Sequence, residues 1–254
     1  MALTKRIIPC LDIRDGQTVK GIRFEQLREL GDPVAFAAQY AAEGADELVF
    51  LDITATNENR KTFAGLVSRM AREINIPFTV GGGIRSVDDV YTLLAAGADK
   101  VSVNTAAVKH PGLLAQLAGQ FGSQCVVLAV DTKFHAGDRE DYVYLNGGRI
   151  PTSIRTADWV RQAADLGAGE ILLTSIDHDG MRRGFALELT HRISESVPVP
   201  VIASGGAGST EHFGEVFTSG HADAALAAGV FHSGEIGIPG LKQYLETQKI
   251  NVRI

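Results

Sequence analysis

Short apolar runs alternate with amphipathic helical patterns along the whole length of the chain. Most of these runs lack polar alternation, which indicates strands that are covered on both faces. Eight such strands with about eight helices in 254 residues predict an α/β fold, a single (β/α)8 TIM barrel. A doubly wound open sheet is the alternative, but eight regular units without a second domain favour closure. The predicted strands span 6–12, 47–51, 78–80, 100–103, 125–130, 170–173, 201–203 and 224–227.

Two of the intervening helices have recognisable boundaries. Apolar residues at helical spacing predict an amphipathic helix over 60–74. Ser86 and Asp89 have the spacing of a capping box and predict where the next helix begins. Gly97 lies where that helix should end, because glycine readily takes the left-handed conformation that closes helices.

An internal repeat divides the chain into two similar halves. Segment 44–50 matches 167–173 at an offset of 123 residues, and two later landmarks follow in the same order. Because the offset is half the chain, each repeat corresponds to four strands. The sequence therefore predicts one barrel domain over 1–254, made of two repeated half-barrels at about 1–123 and 124–254.

The composition excludes several classes of protein. With 24 Lys and Arg against 30 Asp and Glu, the net charge is -6, so the chain lacks the basic excess of a phosphate-neutralising nucleic-acid binder. No stretch approaches the roughly 18 apolar residues of a membrane span. Cys10 and Cys125 are too few for a disulfide scaffold. The N-terminus has no signal-peptide layout, so we expect a cytoplasmic protein. From the charge and the lack of an apolar span we expect no nucleic-acid partner and no membrane partner.

Asp12 and Asp131 end the first and fifth predicted strands, at the same place in the two halves. TIM-barrel active sites lie at the carboxyl ends of the strands. A single aspartate there can simply cap the next turn. Two of them facing across one barrel mouth predict a general acid/base pair.

Glycine-rich turns follow the third and seventh predicted strands. Glycine lets backbone N–H groups approach an anion, although tight turns also use it for purely steric reasons. The loops after the last two strands are the usual phosphate site of this fold, and the repeat implies a second such site. The pattern predicts a ligand with a phosphate at each end. The first phosphate cup comprises Gly82, Gly83, Asn104 and Thr105, and the second comprises Ser204, Gly205, Gly206, Ala228 and Gly229.

The loop after the sixth predicted strand is dense in polar groups that could bind hydroxyls or phosphate, or only make turns. Its candidates are Thr174, Asp177, Asp179 and Gly180. The seven histidines include no H-x-x-x-H pair or carboxylate cluster at ligand spacing, so no metal is expected. No nucleophile elbow or dinucleotide fingerprint occurs, so no cofactor is expected.

Four charged residues begin predicted strands at the opposite end of the barrel. They are Arg6, Glu47, Lys100 and Glu170, and their formal charges sum to zero. The simpler interpretation is that they form a ring of ion pairs that closes the bottom of the barrel, because residues at this face usually serve stability. Buried charges must be paired, so the same ring could equally form a gate.

Seven segments resemble the cyclase subunits of imidazole glycerol phosphate synthase, and the resemblance covers the chain from end to end. These subunits use ammonia from a glutaminase partner to convert phosphoribulosyl formimino aminoimidazole carboxamide ribotide into imidazole glycerol phosphate and aminoimidazole carboxamide ribotide. The resemblance therefore implies a lyase of histidine biosynthesis that forms a heterodimer with a glutaminase (amidotransferase) subunit. The segments are 8–16, 47–55, 78–84, 100–108, 121–124, 167–175 and 203–208.

The resemblance also implies residue roles. Asp12 and Asp131 match the family's catalytic carboxylates, and Lys20, on the loop after the first strand, matches a lysine that closes over the substrate. The two phosphate cups match the family's phosphate sites, and the loop after the sixth strand lines the second half of the site. The four charged residues match a gate to an ammonia channel. Asp99 and Gln124 match positions that face the glutaminase.

Several positions depart from the common family pattern. Met181 and Ala186 stand where a hydroxyl and a carboxylate are usual, Gly229 replaces a common serine, and Ser153 replaces a common glycine near a predicted hairpin at 142–150. Because Gly229 removes a hydroxyl donor from the second phosphate cup, we expect weaker phosphate affinity at that end.

Two alternative functions stay open. The barrel isomerase of the preceding histidine-pathway step shares the repeat, both aspartates and both phosphate cups, but it needs no ammonia and hence no gate. A non-catalytic barrel that only activates a glutaminase is the other, although Asp12 and Asp131 argue against it. A stand-alone phosphosugar-binding module is less expected still.

Overall fold

A computed structural model of the protein describes residues 3–22, 25–53 and 60–254. A short 3-10 helix spans Ser123–Cys125. The strands are β1 (Arg6–Arg14), β2 (Gln17–Ile22), β3 (Glu25–Gly31), β4 (Leu48–Asp52), β5 (Phe78–Gly81), β6 (Lys100–Val103), β7 (Val126–His135), β8 (Glu140–Leu145), β9 (Ile150–Arg155), β10 (Glu170–Ser175), β11 (Val201–Ser204) and β12 (Ala224–Ala227). The helices are α1 (Pro33–Ala42), α2 (Arg60–Glu73), α3 (Val87–Ala95), α4 (Thr105–Lys109), α5 (Gly112–Phe121), α6 (Thr156–Asp165), α7 (Leu187–Ser194), α8 (Thr210–Thr218), α9 (Gly229–His232) and α10 (Ile238–Thr247).

Eight parallel strands close into a barrel. Their order around it is β1, β4, β5, β6, β7, β10, β11 and β12, and β12 pairs back with β1. Helices connect the parallel strands and cover the outside. The predicted (β/α)8 TIM barrel is therefore confirmed, and the open-sheet alternative is wrong.

The helix boundaries follow the sequence signals closely. Helix α2 ends at Glu73, one residue before its predicted end. At the start of α3, the Ser86 hydroxyl accepts from the Asp89 N–H, and the Asp89 carboxylate accepts from the Ser86 N–H. This pair forms the predicted capping box and satisfies N–H groups that the first helical turn leaves free. Among the described residues, no helix combines the length and apolar character needed to cross a membrane.

Side-chain alternation sorts β1 into an outer and an inner face. Ile7, Leu11 and Ile13 pack in the layer between strands and helices, whereas Ile8 and Cys10 pack inside the barrel. Successive side chains of a strand point to opposite faces, so residue 12 continues the inner series. The same alternation along β7 places residue 131 on the inner side, in series with Val127 and Ala129.

The sequence predicted that the two aspartates end their strands, but in the structure both strands continue beyond them. Strand β1 continues to Arg14 and β7 to His135, because each extends beyond the barrel and pairs with an antiparallel strand. There Asp12 lies opposite Val19, and Asp131 lies opposite Tyr144. Two smaller differences occur at strand starts, where Glu47 precedes β4 and Cys125 belongs to the 3-10 helix.

Each of these extended strands carries a hairpin at the same place in its half of the chain. Strands β2 and β3 pair beyond β1, and β8 and β9 pair beyond β7. The second pair is the hairpin that the sequence predicted at 142–150. In the structure its two strands extend it to 140–155. The half-barrel repeat itself stays a prediction.

Three carboxylates join the starts of neighbouring strands. Each accepts, through Oδ2, from an N–H at the start of the barrel strand before it. Asp46 accepts from Ile7 at 2.8 Å, Asp99 from Phe78 at 2.9 Å and Asp223 from Val201 at 3.0 Å. Each also donates its own N–H to the carbonyl of that residue. These paired bonds fix the register at the amino end of the barrel.

Asp46 also holds the last helix. The Lys242 ammonium of α10 lies 2.9 Å from Asp46 Oδ1, and the two side chains are 5% and 4% exposed. A buried carboxylate requires a partner, because an unpaired buried charge is costly. This ion pair therefore ties the C-terminal helix to the start of β1.

We expect Lys242→Met to lower the free energy of unfolding by about 3 kcal/mol, because it leaves the Asp46 carboxylate buried without its cation. Urea unfolding measures the loss. The double variant Asp46→Asn, Lys242→Met should recover part of it, since no charge then stays buried. Lys133→Met, at an exposed lysine, is the matched control. A Lys242→Met variant as stable as this control would contradict the assignment.

Candidate active site

A cavity of about 440 Å³ opens at the carboxyl ends of the barrel strands. Its floor is the apolar interior of the barrel, and its walls are strand ends and the loops that follow them. Ten residues predicted for the site are among those that line it. The lining residues are Cys10, Asp12, Val19, Leu51, Asp131, Thr174, Asp179, Gly180, Arg182, Ser204, Gly205, Gly206, Ala207, Leu226, Ala227, Ala228, Gly229, Val230 and His232.

Asp12 and Asp131 face this cavity from opposite walls. Three barrel strands separate β1 from β7 in either direction around the barrel. Both side chains lie on the inward register of their strands, directly above the apolar floor. The structure thus brings together the two predicted acid/base residues in one cavity.

Burial sets the protonation of these carboxyls. It raises the pKa of Asp12 to about 6, and the negative charge of Asp179 adds to the shift. Burial likewise raises the pKa of Asp131 to about 6, with a further contribution from Asp179. The pKa of Asp179 is itself raised by burial. Desolvation disfavours a carboxylate, so Asp12 and Asp131, each with a pKa of about 6, exchange protons close to neutral pH.

Asn104 limits the rise in the pKa of Asp131. Its Nδ2 donates to Asp131 Oδ2 at 3.0 Å, and the Gly148 N–H also bonds this carboxylate. Both bonds stabilise the ionised form and lower the pKa, opposing the effect of burial. Asn104 therefore acts on Asp131 in this structure, and its place in a phosphate cup stays a prediction.

The second phosphate cup lies in the cavity wall. All five of its residues line the cavity. A Cβ at Gly206 would collide with the carbonyl oxygen of Gly184, and the Gly184 N–H donates to the Gly206 carbonyl at 2.9 Å. Glycine at position 206, where φ is +107°, thus lets the loop after β10 pack directly on the loop after β11.

The first phosphate cup lies outside the described lining of this cavity. Gly82 packs against the backbone of Asp52, where a Cβ would collide with the carbonyl oxygen. This steric constraint is enough to explain why position 82 is a glycine. The Thr105 hydroxyl accepts from the Asn146 N–H at 2.9 Å, which brings the β8–β9 turn over the start of α4. Lys20 lies in β2, within the hairpin after β1, and its side chain is outside the described part of the structure.

The loop after β10 splits its candidates between two directions. Thr174, Asp179 and Gly180 line the cavity. Asp177 is exposed, and its carboxylate accepts from the Phe134 N–H at 3.0 Å. That bond joins the loop to the end of β7, so Asp177 is placed as a brace between loops.

Sequence reasoning missed two polar residues of the cavity. Arg182 lines it, and its guanidinium makes two hydrogen bonds, of 2.8 and 3.0 Å, to Glu235. His232, in α9, lines it with Nδ1 2.7 Å from the Tyr40 hydroxyl. Each follows a predicted cup or loop by only a few residues, which is the one signal that could have pointed to them.

An alternating ring of ion pairs closes the other end of the barrel. Arg6 contacts Glu47 and Glu170, each at 2.6 Å, and Lys100 contacts the same two carboxylates at 3.0 and 2.9 Å. Burial would lower the pKa of Arg6, but the charges of Glu170 and Glu47 outweigh it and raise that pKa. We call these four residues the ion-pair ring. It is the arrangement that the sequence predicted for the barrel bottom.

Asp99 and Gln124 lie at this same end, and both are exposed. Asp99 also bonds the Phe78 N–H, so it has a structural task besides the predicted one. Gln124 donates only to the Phe121 carbonyl among the bonds of the described structure, at 3.3 Å. Their role at a partner interface stays a prediction.

Comparison with known proteins identifies relatives across the whole barrel. A family model described as "Histidine biosynthesis protein" matches residues 6–237. The chain is 57% identical to imidazole glycerol phosphate synthase subunit HisF of Elusimicrobium minutum over 251 residues, which cover 99% of this chain and 100% of that protein. Identity to the subunit of the same name is 57% for Geobacillus kaustophilus and 56% for Parabacteroides distasonis, with the same coverage of both chains.

These relatives bear the name of the synthase subunit and not that of an isomerase, so the isomerase alternative is not favoured. The matched region includes the cavity, its two inward aspartates and the ion-pair ring at the other end. The chain therefore belongs to the histidine-biosynthesis family and, within it, to the HisF subunits, the cyclases of imidazole glycerol phosphate synthase.

Proposed function

We propose that this cavity converts phosphoribulosyl formimino aminoimidazole carboxamide ribotide and ammonia into imidazole glycerol phosphate and aminoimidazole carboxamide ribotide. The observation that carries the proposal is the pair Asp12 and Asp131, on opposite walls, each with a pKa raised to about 6. Groups that hold both protonation states near neutral pH can take up protons and give them back. In this proposal the chain is a lyase of histidine biosynthesis.

Each chemical step moves a proton. Ammonia adds to a carbonyl, water leaves, the imidazole ring closes and a C–N bond is cleaved. Asp12 serves ring closure and cleavage at the imidazole end, and Asp131 assists from the opposite wall. Asp179 lies close enough to act on both, and its charge favours the protonated form of each carboxyl.

The two phosphate cups would hold the ends of the substrate. In the second cup, main-chain N–H groups beside Gly205, Gly206 and Gly229 are the donors, because no serine hydroxyl is present at 229. Arg182 also lines this cavity, and its guanidinium would compensate for part of that loss if it turned from Glu235 towards the phosphate. Lys20 would close over the substrate from the hairpin after β1.

The partner in this proposal is a glutaminase subunit that docks at the amino ends of the strands. The names of the relatives call them subunits, which is consistent with a larger complex. Asp99 and Gln124 are exposed at that end and are the proposed contacts. The ion-pair ring would gate the passage of ammonia along the barrel axis to the cavity.

The cyclase assay tests the proposal directly. The purified chain alone should consume the doubly phosphorylated substrate with ammonium at alkaline pH, where free ammonia is present. Asp12→Asn and Asp131→Asn should each lower turnover by at least about a hundredfold, because they remove a proton-transfer group. Asp165→Asn, at an exposed aspartate of α6, is the matched control.

Other outcomes of this assay would overturn the proposal. Full turnover by Asp12→Asn would remove that residue from catalysis. Interconversion of the aminoaldose and aminoketose without use of ammonia would identify the isomerase. Neither activity in a folded protein would favour the glutaminase-activating scaffold.

Asn104→Ala should raise the pKa of Asp131 above about 6, because it removes a hydrogen bond to the ionised carboxylate. If Asp131 acts as the base, the acidic limb of the kcat/KM profile moves to higher pH. Carboxyl NMR titration reports the pKa itself. Asp12 is the internal control, because its shift comes from burial and Asp179. A raised pKa of Asp131 with an unmoved limb would show that another group sets the profile.

The gate proposal predicts a separation of two activities. Lys100→Met opens one corner of the ion-pair ring, so ammonia produced by the glutaminase should escape more readily. Glutamine-dependent turnover should then fall several-fold relative to glutamine hydrolysis, whereas turnover with added ammonium should persist. Lys109→Met, at an exposed lysine outside the ring, serves as control. Equal losses in both activities would instead assign the ring to stability alone.

A further inference from the structure

Two histidines and a glutamate meet on the outer surface, at the amino ends of β11 and β12. His191 lies in the last turn of α7, Glu195 caps that helix, and His221 lies in the turn between α8 and β12. One nitrogen or oxygen atom from each lies within 4.8 Å of the other two. This end of the barrel is opposite the cavity, so the cluster is separate from the carboxylates at the mouth.

The three side chains already contact one another. His221 Nδ1 lies 3.0 Å from Glu195 Oε1, and the rings of His191 and His221 meet edge to face with centroids 4.5 Å apart. The side chains of His221 and Glu195 are 48% and 63% exposed. An exposed pair of this kind adds little to the free energy of unfolding, so a change to either residue should leave the protein folded.

The backbones beneath the cluster are fixed. The Glu195 N–H bonds the His191 carbonyl at 3.0 Å, which ends α7 in a closed turn. On the other side, the Ala222 N–H bonds the Val216 carbonyl at 3.1 Å, and His221 takes a left-handed conformation with φ of 56°. With the backbone held in this way and the ligand atoms within 4.8 Å of one another, an ion would be reached by rotation of the side chains.

We propose that His191, Glu195 and His221 form a surface site for a divalent transition metal ion, with Zn²⁺ as the matching ion. Two imidazole nitrogens and one carboxylate oxygen are a common zinc ligand set, and water completes the coordination of such open sites. Imidazole suits zinc, copper, nickel and iron, whereas magnesium and calcium prefer oxygen ligands.

The sequence predicted no metal, because no two of the seven histidines have the short spacing of metal ligands. His191 and Glu195 have helical spacing and share one helix face, but the third ligand, His221, is 26 residues after Glu195. It joins them only because α7 and the turn after α8 are neighbours in the folded barrel. A bound ion would clamp these two elements together.

Titration of untagged, chelator-treated protein with Zn²⁺ in a calorimeter tests the site. The full chain should bind one ion, and His191→Ala or His221→Ala should each weaken binding by about tenfold or more. Glu195→Gln should weaken it in the same direction. His110→Ala, at an exposed histidine outside the cluster, should bind like the unchanged protein. Mg²⁺ should give no binding.

Thermal unfolding supplies a second readout. Zn²⁺ should raise the Tm of the unchanged protein, because the ion binds only the folded arrangement, and should leave the Tm of the double variant His191→Ala, His221→Ala unchanged. Ammonium-dependent turnover should be the same in all these variants, since the cluster is remote from the cavity. That result keeps the metal site distinct from the proposed cyclase chemistry.

Three results would overturn the proposal. The first is the absence of Zn²⁺ binding by the unchanged protein. The second is binding of unaltered strength by the double variant. The third is loss of binding in Cys125→Ser while the cluster is intact, which would place the ion on the partly exposed thiol.

Discussion

Alternation of side chains along β1 and β7 is the constraint on which the site depends. Within a closed barrel, every second residue must point to the axis and either fill it or face the mouth. Ile8 and Cys10 fill it, and Asp12 is the next member of the same series. Moving the strand by one residue would bury the aspartate among helices and expose an isoleucine to the cavity. One register therefore sets both the packing of the barrel interior and the placement of Asp12 in the cavity.

The parts of the molecule that the sequence predicted are those specified by local or periodic signals. The capping box of Ser86 and Asp89 is complete within four residues, so it needs no tertiary information. The strands of the barrel are apolar runs that only a doubly covered sheet can bury. The inward aspartates followed from their place at the ends of predicted strands, and the ion-pair ring from charges at the starts of predicted strands.

Most of the errors arise where a distant segment decides the outcome. Strand β1 is the exception, because it passes Asp12 to pair with Val19 across a turn in which Asp15 and Gly16 both have positive φ. An Asp-Gly pair between two strands is itself a local hairpin signal. Asp177 looked like Asp179 in the sequence, yet the Phe134 N–H draws its carboxylate away from the cavity. Arg182 lines the cavity and bonds Glu235, 53 residues later in the chain, a contact that its own neighbourhood in the sequence does not indicate. Tertiary contacts of this kind have no periodic signature.

The place of β12 in the barrel has a consequence for how the chain is made. This strand is the last of the barrel in sequence, but it lies between β11 and β1. A ribosome therefore finishes β1 at Arg14 and must synthesise the chain as far as Ala224 before that strand can receive its second barrel neighbour. Open strand edges recruit other chains. A nascent protein stopped short of β12 would carry two such edges, so the final strand protects the first one from misassembly.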